Sequence, residues 1–102
     1  MIELRQTEEF SRWMHNLSDR KVRSRILARL DRVALGLLGD VKSLGGGILE
    51  LRIDFGPGYG IYLKKVKNEV FLLLIGGDKS SQSDSIRKAR RLSDNLKGEN
   101  HG

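Results

Sequence analysis

The sequence predicts an α+β domain of order β-α-α-β-β-β-α, a small, mainly antiparallel sheet packed by helices on one face. Three observations carry that expectation. Two apolar stripes of helical spacing occupy residues 10–17 and 22–37. The hydrophobic period then switches from 3.6 to 2 at Ile48. Gly56-Pro57-Gly58 finally sets a strong turn between two alternating segments, since proline fixes φ there.

The elements follow in order. Residues 2–6 alternate Ile2 and Leu4 with Glu3 and Arg5, which predicts a short opening strand. Thr7 is a good N-cap, and Glu8 and Glu9 follow it in the first turn, where the helix dipole favours acids. Phe10, Trp13, Met14 and Leu17 give that helix one apolar stripe. Ser18 and Asp19 restart the signal as cap and first turn. Val22, Ile26, Leu30, Val33 and Leu37 then mark a long amphipathic helix ending at residues 36–39, with arginines on its other faces. The two helices form a hairpin. Gly45, Gly46 and Gly47 predict a flexible connection. Beyond it, Leu49, Leu51, Ile53 and Phe55 point one way, and Glu50, Arg52 and Asp54 the other. Residues 59–64 alternate likewise. Residues 70–75 are apolar on both faces, as expected of a central strand. Asp78, Ser80, Ser83 and Asp84 offer caps for a last helix with Ile86, Ala89 and residues 92–96 on its apolar side. One domain spans residues 1–97, and 98–102 form a polar tail expected to be disordered.

The chain has 102 residues, with nineteen Lys and Arg against thirteen Asp and Glu, a formal charge of +6. That size allows one modest core. The charge favours a polyanionic or acidic partner. No cysteine is present, so neither disulfides nor thiolate metal sites are expected. The longest apolar run is too short for a membrane span, and no signal-like segment opens the chain, so a cytoplasmic protein without membrane contact is expected. His15 and His101 lack metal-ligand spacing and a nearby nucleophile motif, so no metal, no cofactor and no Ser-His-Asp triad is expected.

Two segments could carry chemistry. If the hairpin turn centres on Pro57, facing positions sum to about 114, which opposes Arg52 to Tyr62, Glu50 to Lys64 and Asp54 to Gly60 on one polar face. Such a face is either a binding surface or a solvated surface with weak cross-strand ion pairs. The second segment is Gly76-Gly77-Asp78-Lys79-Ser80. Its glycines permit close approach, and Lys79 with the following helix start could cradle a phosphate; a plain strand-to-helix turn capped by Asp78 or Ser80 is the alternative.

Together, the runs ELRIDFGPGYGIY (50–62) and LLLIGGDKSSQ (72–82) resemble the paired signatures of the RelE/ParE toxin superfamily, in its HigB-like "addiction module killer" branch. The opening strand, the helical hairpin and Asp84-Ile86-Ala89 fit the same pattern, so the resemblance spans about residues 1–97. It implies a RelE-like fold and the toxin of a type II toxin–antitoxin pair, a ribosome-associated, metal-independent mRNA endonuclease. The substrate 2′-OH would be aligned for in-line attack on the adjacent phosphate while cations stabilise the phosphoryl oxygens. The implied partners are a cognate helix-turn-helix antitoxin, mRNA and the ribosome, with operator DNA met only through the antitoxin complex. By position, Arg52 and Lys79 match the family's cationic groups; Tyr62, Lys64, Asp78 and Ser80 would contact substrate. Acidic antitoxin segments would meet Arg20, Arg23 and Arg25.

The departure is Gly60, which stands where the family pattern has arginine. Glycine within a strand is unfavourable by about 0.5–1 kcal/mol relative to alanine, and nothing local recommends it. The expectation is therefore an attenuated or inactivated nuclease. The alternatives are a non-catalytic ParE-like gyrase inhibitor and an inactive, antitoxin-binding regulator.

Overall fold

A computed structural model describes residues 1–99, with side chains to Leu96. The elements are β1 (Glu3–Gln6), α1 (Glu8–Asn16), α2 (Arg20–Ala34), β2 (Val41–Gly45), β3 (Ile48–Ile53), β4 (Tyr59–Lys67), β5 (Val70–Asp78), a 3-10 turn (Lys79–Ser81) and α3 (Gln82–Glu99). The helix α3 thus extends into the segment read as a tail, while positions 100–102, His101 among them, lie outside the described residues. The sheet is mixed, of order β1-β5-β4-β3-β2, with β1 parallel to β5 and the other pairs antiparallel. The α+β class stands.

Local chemistry explains the helices. The Thr7 side chain caps α1 by accepting from the Phe10 amide, and its hydroxyl donates to the Leu74 carbonyl at 2.7 Å. The cap of α2 is Asp19, not Ser18: its carboxylate accepts from the Lys21 amide at 2.9 Å. That helix closes at Gly36, whose φ of 87° lets the Gly36 and Leu37 amides turn back onto the Val33 and Arg32 carbonyls. Leu37 therefore leaves the stripe and is exposed.

Four expectations need correction. First, there is a fifth strand. Residues 45–47 form no loose connection: Gly45 pairs with Ile48, and Gly46 and Gly47, with φ of 64° and 82°, make the two-residue turn of a β2–β3 hairpin. Second, helices cover both sheet faces. Phe10, Val22, Ile26 and Val33 from α1 and α2 pack on Leu51, Ile61, Leu63 and Leu73. On the opposite face Ala89, Ile86 and Leu92 of α3 pack with Ile48, Tyr62, Leu74 and Ile75. The face with alternating polar residues is thus itself half core. Third, β5 is apolar on both faces because it lies between α1 and α3, but the middle strand is β4. Fourth, the β3–β4 register centres on Gly56, one residue before Pro57. Glu50 faces Tyr62, Arg52 faces Gly60, and Ile48 faces Lys64. A one-residue shift of the turn moves each partner by two, so every side chain keeps its face.

Two further glycines set the distance between layers. A Cβ on Gly76 would lie 2.3 Å from the Trp13 ring, and one on Gly77 would lie 2.2 Å from the Ser85 Oγ. Gly76 therefore lets α1 lie against β5 from one side, and Gly77 lets α3 do so from the other.

Candidate functional site

The register brings the ends of three strands together. Arg52, Gly60 and Gly77 are successive cross-strand partners, as are Ile53, Tyr59 and Asp78. The loop after β3 is tied down at this end, because the Lys79 amide donates to the Gly58 carbonyl at 3.0 Å. The result is an open hollow of about 440 Å³ at the rim of the sheet. Arg52, Lys79, Gly60, Tyr62 and Asp78 all line it, joined by Glu50, Gln82, Tyr59, Asp40 and Asp54.

The hollow is organised around one buried carboxylate. Glu50 is 2% exposed. Its Oε2 accepts from the Tyr62 hydroxyl at 2.8 Å and from the Gln82 Nε2 at 2.9 Å; its Oε1 accepts from the Arg52 Nε at 3.2 Å. Burial alone would raise the carboxyl pKa, but the bonds from Gln82, Tyr62 and Arg52, with the Arg52 charge, outweigh it and hold Glu50 below the usual carboxylate range. Burial, then the bond to Glu50, pushes the Tyr62 phenol well up, so it stays a donor at any physiological pH. Asp78 is held low by the Ser80 hydroxyl against a smaller opposing effect of burial, with the Ser81 amide and hydroxyl adding to the lowering.

A pH dependence follows. A carboxylate whose folded pKa lies below its unfolded value stabilises the fold above the unfolded pKa, and that stability is lost as pH falls through the folded one. The urea midpoint should therefore drop as pH is taken down through and below the ordinary carboxylate range, and the drop should shrink in Glu50→Gln. An equal drop in the variant would show that Glu50 is not the group responsible.

Arg52 is half-exposed, and once Nε is engaged its terminal nitrogens have no hydrogen-bond partner among the described residues. Nor does the exposed Lys79 ammonium. These two cations are thus free to meet an anion. Of the four lining carboxylates, Glu50 and Asp78 are engaged by internal donors, while Asp40 and Asp54 stand exposed at the rim.

Other expected site residues lie elsewhere. Lys64 is not in the hollow: its Nζ donates to the Ser93 Oγ at 2.8 Å and ties β4 to α3. Ser80 donates to Asp78 at 2.6 Å and does not line the hollow. Tyr62 borders the hollow but is almost wholly covered, with 1% of its surface exposed. Its ring is therefore not a stacking platform for a base. Arg20 and Arg25 are exposed on α2 and Arg23 is half-buried. The Arg25 guanidinium lies 4.7 Å from the centre of the Phe55 ring, beside the loop that borders the hollow.

Gly60 also has a structural reason. A Cβ there would lie 2.8 Å from the Tyr62 hydroxyl and 3.1 Å from the ring carbon that bears it. The phenol lies over position 60 and occupies the space that a side chain there would take. The expectation that nothing local recommends this glycine is overturned.

Glu50 and Gln82 are the functional candidates that sequence reasoning missed. Glu50 had a faint signal, a carboxylate two residues before an arginine on one strand face. Gln82 closes the second signature run, but nothing in the sequence links it to Glu50, thirty-two positions away.

Among the described residues no cluster of three or more His, Asp or Glu side chains could hold a metal ion, and no helix is long and apolar enough to cross a membrane. No family model matches the chain. A Haemophilus influenzae protein described only as uncharacterized is 41% identical over 95 residues, which cover 93% of this chain and 96% of that protein.

Proposed function

The chain belongs to one family with that Haemophilus influenzae protein, and we propose that it is the toxin of a type II toxin–antitoxin pair with a RelE-like fold, an endonuclease that cuts mRNA on the ribosome with activity attenuated by the glycine at position 60. The observation that carries this reading is the hollow in which Arg52 and Lys79 stand with free cationic ends at the rim of the sheet. A phosphodiester suits such a site, because cations lining it can stabilise the non-bridging oxygens as negative charge builds on them. In the reaction, the substrate 2′-oxygen loses its proton and bonds to phosphorus. The bond from phosphorus to the 5′-oxygen breaks, and that oxygen takes up a proton. Holding the two oxygens in line supplies much of the acceleration, so rigid placement of the cations matters as much as their charge. The Lys79 backbone is held by the hydrogen bond its N–H donates to the Gly58 carbonyl, and the Arg52 guanidinium by the bond its Nε donates to Glu50.

The basic chain surface suits ribosomal RNA and an acidic antitoxin segment, the latter on α2 at Arg20, Arg23 and Arg25. A second reading, an antitoxin-binding regulator without activity, draws on position 60, where no cation stands. Induction of the chain followed by primer extension on cellular messages separates the two. The nuclease leaves defined ends that vanish when translation is blocked; the regulator leaves messages intact while still co-purifying with a helix-turn-helix partner.

A further inference from the structure

We infer that Glu50 is a positioning residue for Arg52, and that Gly60 exists to let Tyr62 complete that support. The inference deepens the nuclease reading and rests on it for the role of Arg52 toward phosphate.

The four residues form a block on two neighbouring strands. Glu50 and Arg52 share one face of β3; their partners Tyr62 and Gly60 share the same face of β4. An arginine beside an open hollow has many rotamers, and ordering them on binding costs free energy. Here Nε is anchored to Glu50 Oε1, so the guanidinium plane is set before any ligand arrives. An anchor works only if it is itself fixed. Glu50 is fixed on its other oxygen by Tyr62 from β4 and Gln82 from α3, so three elements converge on one carboxylate. Tyr62 reaches it by lying over position 60. A Cβ there would crowd the hydroxyl, so the phenol would have to shift and its bond to the buried Glu50 carboxylate would be strained. Glycine at 60 leaves that bond unstrained.

The test uses the full chain labelled with nitrogen-15. Spectra of the arginine Nε–H groups are recorded for wild type, Glu50→Gln, Tyr62→Phe, Gly60→Ala and the Gly60→Ala/Tyr62→Phe double variant, with Arg52→Lys to assign the signal. Urea midpoints are measured in parallel, and inorganic phosphate is titrated as the anion. In wild type the Arg52 Nε–H should be a sharp signal, slow to exchange with water. Glu50→Gln and Tyr62→Phe should broaden or shift it and weaken phosphate binding by about 3- to 10-fold, the scale of one hydrogen bond. Gly60→Ala should act like Tyr62→Phe, and should lower the urea midpoint far less in the Tyr62→Phe background, where the hydroxyl it meets is gone.

The proposal is overturned if the Arg52 signal is the same in wild type, Glu50→Gln and Tyr62→Phe. It is equally overturned if alanine at 60 costs as much with phenylalanine at 62 as with tyrosine. Should Gly60→Ala fail to fold, Tyr62→Phe and Glu50→Gln decide the matter alone. If phosphate leaves the Arg52 signals of a folded wild type unmoved, the phosphate role fails, while the Nε–H comparison still decides the positioning.

Discussion

Gly76→Ala is expected to lower the stability of the fold by about 1–3 kcal/mol, the usual cost of forcing extra volume into a packed layer. The added methyl would stand 2.3–2.6 Å from three atoms of the Trp13 ring. Backbone on one side and ring on the other leave no small adjustment, so the indole must move. Trp13 packs tilted against Phe10, with centroids 5.8 Å apart, and that contact goes with it. For a domain of this size the loss corresponds to a fall in Tm of roughly 4–8 °C per kcal/mol. The readout is direct, because Trp13 is the single tryptophan. Its emission should shift to the red as the ring turns toward water. Trp13→Phe should absorb part of the cost of Gly76→Ala. An unchanged midpoint with unchanged emission would mean that the indole does not cover Gly76.

Arg52→Ala carries the largest expected effect on function. Loss of one preorganised donor to a developing oxyanion typically costs about 100- to 1000-fold in rate, and message cleavage should fall by that factor. Stability should change little, because the guanidinium is half-exposed and Glu50 keeps its bonds from Tyr62 and Gln82. Purified wild type and variant, added at matched concentration to a translation reaction, provide the comparison. Lys79→Ala should show a similar loss. Cleavage by folded Arg52→Ala at the wild-type rate would remove the guanidinium from the chemistry.

How much of this could be read in the chain follows from the range of the interactions. The helices were legible because caps and stripes are local: Thr7 binds the Phe10 amide three residues on, and Ile26 and Leu30 lie one turn apart. The β3–β4 hairpin was legible for the same reason. Its register was not, since a five-residue loop centred on Gly56 and one centred on Pro57 keep the same faces. β2 escaped because a bulge at Leu44 breaks its pairing, and Val41 and Leu44 face opposite cores. The second helical layer escaped because its strand face mixes Ile48 and Leu74 with Glu50 and Arg52.

The site divides in the same way. Arg52, Lys79 and Asp78 sit at strand ends that the turn signals announce, and they do meet in one hollow. Lys64 occupies the right face but lies too far along β4, under α3. The support of Arg52 joins positions 50, 62 and 82, and only the packing of α3 brings the last of them near. Gly60 looked like a defect because its reason, the phenol two residues along the strand, is a matter of side-chain direction rather than of sequence.

The chemistry of the cut ends tests the central claim most directly. Attack by a neighbouring 2′-oxygen within this hollow must leave a 2′,3′-cyclic phosphate, or the monophosphate derived from it, on one fragment and a 5′-hydroxyl on the other. Fragments made by the wild-type chain on translated message should carry those ends, and a single 2′-deoxy substitution at the cut should block their formation. Fragments bearing 5′-phosphates, cleavage that survives the 2′-deoxy substitution, or intact message in the presence of folded chain would contradict the account.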